Sequence, residues 1–117
     1  MSETPNLKIG YMSDGQAGAY LVINDALNRI DALLHLSVKD RNLTAPPGGE
    51  SNGECYLVAS PATDEWEGHE GDIAAYYDGW IFMTPKEGFN MWVADEDVRL
   101  DFYDSSWHSW ASWASYA

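Results

Sequence analysis

Residues 20–38, YLVINDALNRIDALLHLSV, contain the pattern from which the fold of this chain is predicted. Apolar side chains recur there at alternating steps of three and four residues, as in one helix of a coiled coil. The positions concerned are Tyr20, Ile23, Leu27, Ile30 and Leu34. We therefore predict a helix over residues 19–41 whose apolar stripe forms an interface between copies of the chain.

The identity of these residues also predicts how many copies associate. In the heptad register, Leu27 and Leu34 occupy a positions, and Ile23 and Ile30 occupy d positions. Leu at a with Ile at d disfavours two strands and shifts the preference toward trimers or tetramers. We predict a homotrimer. The alternative is a single amphipathic helix lying on its own sheet, because so short a seam is marginal when isolated.

Length and charge restrict the classes of function. A chain of 117 residues corresponds to one domain with a modest core. Six basic against nineteen acidic side chains give a formal charge of −13, which argues against a nucleic-acid partner. The sequence has neither a long apolar run nor a basic-then-apolar leader pattern, so we expect synthesis in the cytoplasm and no membrane insertion. The single Cys55 is expected to be a buried thiol.

Composition changes along the chain predict an α+β protein. Residues 1–18 form an arm, which we expect to dock on a neighbouring chain, and the helix follows over residues 19–41. Two prolines and three glycines mark residues 42–53 as a loop. Residues 54–108 have the period-two pattern and turn signals of an antiparallel β-meander. Residues 109–117 are a Trp-rich tail.

The meander is predicted to contain about five short strands, with sequential strands paired. Asp78–Gly79 gives a hairpin signal, because Gly accepts positive φ. The predicted strands are residues 55–60, 73–77, 80–84, 89–94 and 98–104.

Aromatic residues recur every three positions at the end of the chain, at Trp107, Trp110, Trp113 and Tyr116. Large aromatic side chains bury much area and are enriched at interfaces. We predict that they contact another subunit or another protein. The alternative is a lid over the core of the same subunit.

Two acidic clusters contain residue types that can bind metals, but both are predicted to bind no metal. His69, Glu70 and Asp72 lack the several His or Cys ligands of a zinc site, so we expect His69 to form local hydrogen bonds. Residues 95–97, Asp-Glu-Asp, lack the spacing of a calcium loop. Pairs of carboxylates near Trp66 fit a glycosidase no better than chance in so acidic a chain. We predict no catalytic residues, no enzyme activity and no cofactor.

Several segments together resemble a domain-of-unknown-function family of alphaproteobacterial phages, prophages and gene transfer agents, often associated with tail fibres. The resemblance covers roughly residues 7–104 and rests on residues 24–48, 56–58, 66–74, 78–80, 84–88 and 92–93. It implies a virion component, trimeric, on a tail fibre, head fibre or spike. The family has no established catalytic residues, so none are carried over to this chain.

The predicted function is therefore that of a non-enzymatic phage structural protein on the virion exterior, a short fibre, spike or decoration. Its partners would be two further copies of itself and other virion proteins. The alternative is a receptor-binding module of a tail fibre that contacts host-surface glycans. Exposed aromatic rings stack on sugars, and the candidate contacts are Trp66, Trp80 and Trp92.

Overall fold

The computed structural model describes residues 2–13 and 19–109, which form one helix, seven strands and a short 3₁₀ helix. The helix, α1, spans Ala19–Leu33. The strands are β1 (Ser37–Val38), β2 (Cys55–Leu57), β3 (Ile73–Tyr76), β4 (Trp80–Met83), β5 (Asn90–Val93), β6 (Val98–Tyr103) and β7 (Ser106–Ser109), and the 3₁₀ helix is Asp64–Trp66. The predicted α+β class is confirmed.

The strands divide into two small sheets rather than the single predicted meander. β2, β3 and β4 form a three-stranded antiparallel sheet. The other sheet has the order β1-β5-β6-β7, in which β1 is parallel to β5 and the remaining pairs are antiparallel. The hairpin predicted at Asp78–Gly79 joins β3 to β4, and short turns join β5 to β6 and β6 to β7, whereas the sequential strands β4 and β5 lie in different sheets and do not pair.

The segment from Leu36 to Asp40 joins the two sheets. On one side, the amide of Trp92 donates to the carbonyl of Leu36 at 2.9 Å, and the amide of Ala94 donates to Val38 at 2.9 Å. On the other side, the amide of Lys39 donates to Cys55 at 2.8 Å, and that of Leu57 donates to Asp40 at 3.2 Å. One short stretch of chain is thereby hydrogen-bonded to both sheets.

The three-stranded sheet is covered on both faces because alternate side chains of a strand point to opposite sides. Cys55, Leu57 and Ile73 belong to a core shared with the four-stranded sheet, which contributes Met91 and Leu100. On the opposite face lies a second cluster, comprising Tyr56, Val58, Ala62, Trp66 and Ala74. Burial on both faces accounts for the continuous apolar run of β3.

The predicted helix was too long at its C-terminal end. α1 ends at Leu33, and the predicted span to residue 41 includes β1. Pairing of Ser37 with Trp92 and of Val38 with Val93 fixes this segment as strand. Tertiary hydrogen bonding outweighs the local helical pattern, and the β-branched Val38 fits the pleated sheet.

The N-terminal arm packs on the helix of its own chain, and its expected contact with a neighbouring chain stays a prediction. A turn at residues 5–7 is closed by an isolated bridge between Glu3 and Gly10. Met12 exchanges two hydrogen bonds with the side chain of Asn24, at 2.8 and 3.0 Å, and the Tyr11 hydroxyl donates to Asn28. Polar side chains of α1 thus bind the arm.

The strongest of these attachments is the Asp31 carboxylate, which is 2% exposed. It accepts hydrogen bonds from the amides of Asn6 at 3.0 Å and Leu7 at 2.6 Å, and from the Tyr77 hydroxyl at 2.8 Å. Burial alone would raise the pKa of Asp31, but the hydrogen bonds, including one from Thr4, outweigh it and hold this pKa below its usual value. We call the two sheets together the β-domain. The arm, the helix and the β-domain therefore meet at one ionised side chain.

We expect Asp31→Asn to lower the free energy of unfolding by about 2–3 kcal/mol, because the amide leaves buried donors poorly paired. Chemical denaturation of the variant and of Asp25→Asn, an exposed control on the same helix, measures this difference. Since the folded pKa of Asp31 lies below the unfolded value of about 3.9, the wild-type advantage is present above that pH and is lost as the pH falls through the folded pKa. A difference independent of pH down to 2 would contradict this account.

Candidate assembly surface

The five predicted seam residues lie along one side of α1 and the turn that follows it, and no other part of the described chain covers them fully. Ile23 is 43% exposed, Ile30 is 46% exposed and Leu34 is 62% exposed. Tyr20 and Leu27 are half-buried. The structure therefore places these residues together as an unpartnered apolar stripe, which we call the seam.

The helix receives little support from its own subunit. Its buried residues are Asp31 and Ala32, both at the C-terminal end. Beside the seam, Leu21 and Val22 in the first turn are 62% and 74% exposed. A helix of 15 residues is marginal in water unless an apolar face is packed. This arrangement is typical of a helix that is completed by association.

A groove that the sequence pattern did not predict runs along one flank of the seam. It has a volume of about 460 Å³ and lies between the C-terminal half of α1 and the start of β5. Its apolar walls are Ile30, Leu33, Leu34, Leu36 and Phe89. The heptad pattern predicted the seam residues of this groove, Ile30 and Leu34. It did not predict Phe89, which is brought there by the pairing of β1 with β5.

The tryptophans predicted as possible glycan contacts occupy different environments. Trp66 is fully buried and packs edge-on against Trp80 at 5.2 Å between ring centroids. It is therefore a core residue and unavailable to a glycan, because this small domain uses it to cover the three-stranded sheet. Trp80 is half-buried in the same cluster, and Trp92 is 45% exposed.

The predicted aromatic contact surface of the tail is described only at its first residue. Trp107 lies in β7, half-buried, and packs against Phe102 at 5.1 Å between ring centroids. It contacts the core of its own subunit, as the alternative interpretation predicted for the tail. Trp110, Trp113 and Tyr116 lie outside the described residues.

The acidic clusters are engaged in hydrogen bonds. His69 Nδ1 lies 3.0 Å from Asp72 Oδ2, its ring stacks on Phe82, and Glu70 accepts from the amide of Ala62 at 3.1 Å. Over residues 2–13 and 19–109, no three His, Cys, Asp or Glu side chains are grouped in a way that could hold a metal ion.

The second cluster forms an ion pair across the chain. Arg41 binds Glu96 through two hydrogen bonds of 2.8 and 2.7 Å, and hydrogen bonding from Arg41 holds the pKa of Glu96 below its usual value.

The Cys55 thiol is buried, and burial raises its pKa to about 12. It remains protonated at neutral pH and is a poor nucleophile. None of the described helices is both long and apolar enough to cross a membrane.

The fold and this surface define a small α+β domain that presents an apolar helix outside its own core. The chain belongs to a family described as "Protein of unknown function (DUF2793)", whose sequence model matches residues 23–108. The match begins within the seam and ends within β7, so it includes most of the helix as well as both sheets. No curated protein matches the sequence.

We expect Trp66→Ala to lower the free energy of unfolding by about 3–5 kcal/mol, because it leaves a large cavity in the second core cluster. Trp92→Ala is the matched control and should cost less than about 1 kcal/mol, since nearly half of that side chain is already in water. Urea denaturation of both variants makes the comparison. Equal losses would contradict the assignment of Trp66 to the core and Trp92 to the surface.

Proposed function

We propose that this protein is a non-enzymatic structural protein of a phage particle, and that three copies associate through the seams of their α1 helices. The observation that carries the proposal is the position of the helix. Its polar side binds the arm, its last turn binds the β-domain, and its apolar seam is left open to solvent. A face of this kind marks an interaction site.

The number three is supported by the residues of the seam. Leu27 and Leu34 at a with Ile23 and Ile30 at d match the pattern that disfavours dimers. Three helices also bury more of each stripe than two, which suits a helix whose first turn exposes apolar residues on several sides.

The proposed location on the virion exterior is supported by the sequence resemblance to phage and gene-transfer-agent proteins. The description of the matching family gives no function. We propose that the protein acts on the virion exterior as a short fibre, spike or surface decoration. The proposal of a non-catalytic role fits the engaged state of both acidic clusters and the protonated state of Cys55. Density for this protein on the surface of intact particles is the expected result, and its absence from purified particles would contradict the location.

Leu27→Asp is expected to abolish association, because it brings three carboxylates together in an apolar seam. Val22→Asp introduces the same charge on the same helix but outside the seam, at a side chain that is already 74% exposed, and should leave assembly unchanged. Light scattering at low micromolar concentration measures the mass of both variants and of the wild type. A wild-type chain that is a stable folded monomer, or a Leu27→Asp chain that remains trimeric, would contradict the proposal.

A second candidate function is glycan binding by the outer face of the four-stranded sheet. Trp92 is exposed there, and its strand partner Arg99 lies directly opposite. The next pair on this face, Asn90 and Asp101, supplies further polar groups. An exposed aromatic ring surrounded by hydrogen-bonding side chains suits a sugar.

A glycan array probed with the purified protein tests this second candidate. Binding that is lost in Trp92→Ala while the melting temperature is kept is the expected result if this face binds glycans. Val22→Asp serves as a surface control and should bind like the wild type. Binding that survives Trp92→Ala would place the contact elsewhere.

A further inference from the structure

The arm and the groove lie on opposite flanks of the seam. With about 3.6 residues per turn, Asn24, Asn28 and Asp31 fall on one flank of the stripe, at e and b positions. These three side chains hold the arm. Arg29 and Leu33, at c and g positions, fall on the other flank and line the groove.

This arrangement has a direct consequence for three parallel helices. In a parallel coiled coil, the e side of each helix is next to the g side of its neighbour. The flank that carries the arm in one copy therefore faces the flank that carries the groove in the next. Around a three-fold axis, the same contact is made three times and closes on itself.

We propose that the arm of each copy fills the groove of the neighbouring copy, so that the assembly interface extends from the helices onto the β-domains. The inference rests on the proposed trimer and specifies what covers the groove. The occupant is residues 5–12 of the adjacent chain, held in place by their own helix.

The positions of the arm and the groove along the helix axis agree with the proposed contact between them. The amide of Leu7 is bonded to Asp31, and Asp31 is two residues from Leu33, a distance of about 3 Å along the axis at a rise of about 1.5 Å per residue. The turn of the arm and the helical wall of the groove are thus at the same level in parallel chains. In antiparallel chains, the e sides face each other and arm would meet arm.

The arm also has the side chains and the rigidity for this contact. Leu7, Ile9, Tyr11 and Met12 are each half-buried in the single chain and retain apolar area to bury. Hydrogen bonds that Asp31, Asn28 and Asn24 accept already hold the arm in place, so little conformational entropy is lost when a second chain packs on it. The groove offers Leu36 and Phe89 as its floor and far wall.

Cross-linking between two differently labelled chains tests this inference. One chain carries Leu7→Cys and the other carries Asn90→Cys at the edge of the groove; the two are co-expressed with different affinity tags and isolated as mixed oligomers. A short bifunctional maleimide is expected to join them into a dimer on a denaturing gel. The native Cys55 is buried and contributes no reaction.

Glu65→Cys replaces Asn90→Cys in the control, since Glu65 is exposed in the 3₁₀ helix on the far side of the three-stranded sheet. We expect at least five-fold less cross-linked dimer with this chain.

Light scattering on the same samples separates the two proposals. Mixed trimers that cross-link Leu7→Cys to Asn90→Cys support the arm in the groove. Trimers in which Asn90→Cys reacts no better than Glu65→Cys overturn the inference and leave the trimer standing. Cross-links between two Leu7→Cys chains reveal antiparallel packing and overturn it as well. A monomer overturns the proposed function and this inference together.

Discussion

A single buried carboxylate connects the three parts of this molecule. Asp31 accepts two backbone amides of the arm and the hydroxyl of Tyr77, which precedes the β3–β4 hairpin turn. A buried carboxylate is costly unless its oxygens accept hydrogen bonds. The donors must therefore stay in place for Asp31 to remain buried and ionised. Because the arm is thereby held on the polar flank of α1, the apolar seam is the side of the helix that remains for another chain.

The two halves of the chain differ in how far their apolar side chains are buried. The sheets are packed on each other, with Ala32 and Leu33 at the end of α1 contributing to their shared core, and Trp66 closes the outer face of the three-stranded sheet. The rest of the helix is not covered in this way: Ile23 and Ile30, and Leu34 just beyond its end, are exposed and would be costly to leave in water. Stability of the sheets and burial of the apolar stripe on the helix are thus separate requirements, and we propose that association meets the second.

The sequence was sufficient for the parts that local pattern controls. Period-two runs and the Asp78–Gly79 turn located β3 and β4, and the heptad positions located the seam. It was insufficient where distant chain segments decide the outcome. Ser37–Val38 is a strand because β5 offers it a parallel partner, and Asp31 resembled any other polar residue of the solvated face. The groove beside Phe89 and the burial of Trp66 likewise depend on contacts between residues far apart in the sequence.

The short connection between α1 and β1 determines how a force on the helix would reach the sheets. Between Leu33 and the first pairing of β1 there are three residues, and the next stretch of chain is hydrogen-bonded to both sheets. A force applied along α1 would reach β1 without an intervening hinge. This force would act across the hydrogen bonds of residues 36–40. Leu36 and Val38 are bonded to β5 and the residue after it, and Lys39 and Asp40 are bonded to β2, so all four bonds would be loaded at the same time. Such bonds resist together in shear, whereas bonds pulled from one end open one after another. A load on the helix would therefore be shared by both sheets from the start.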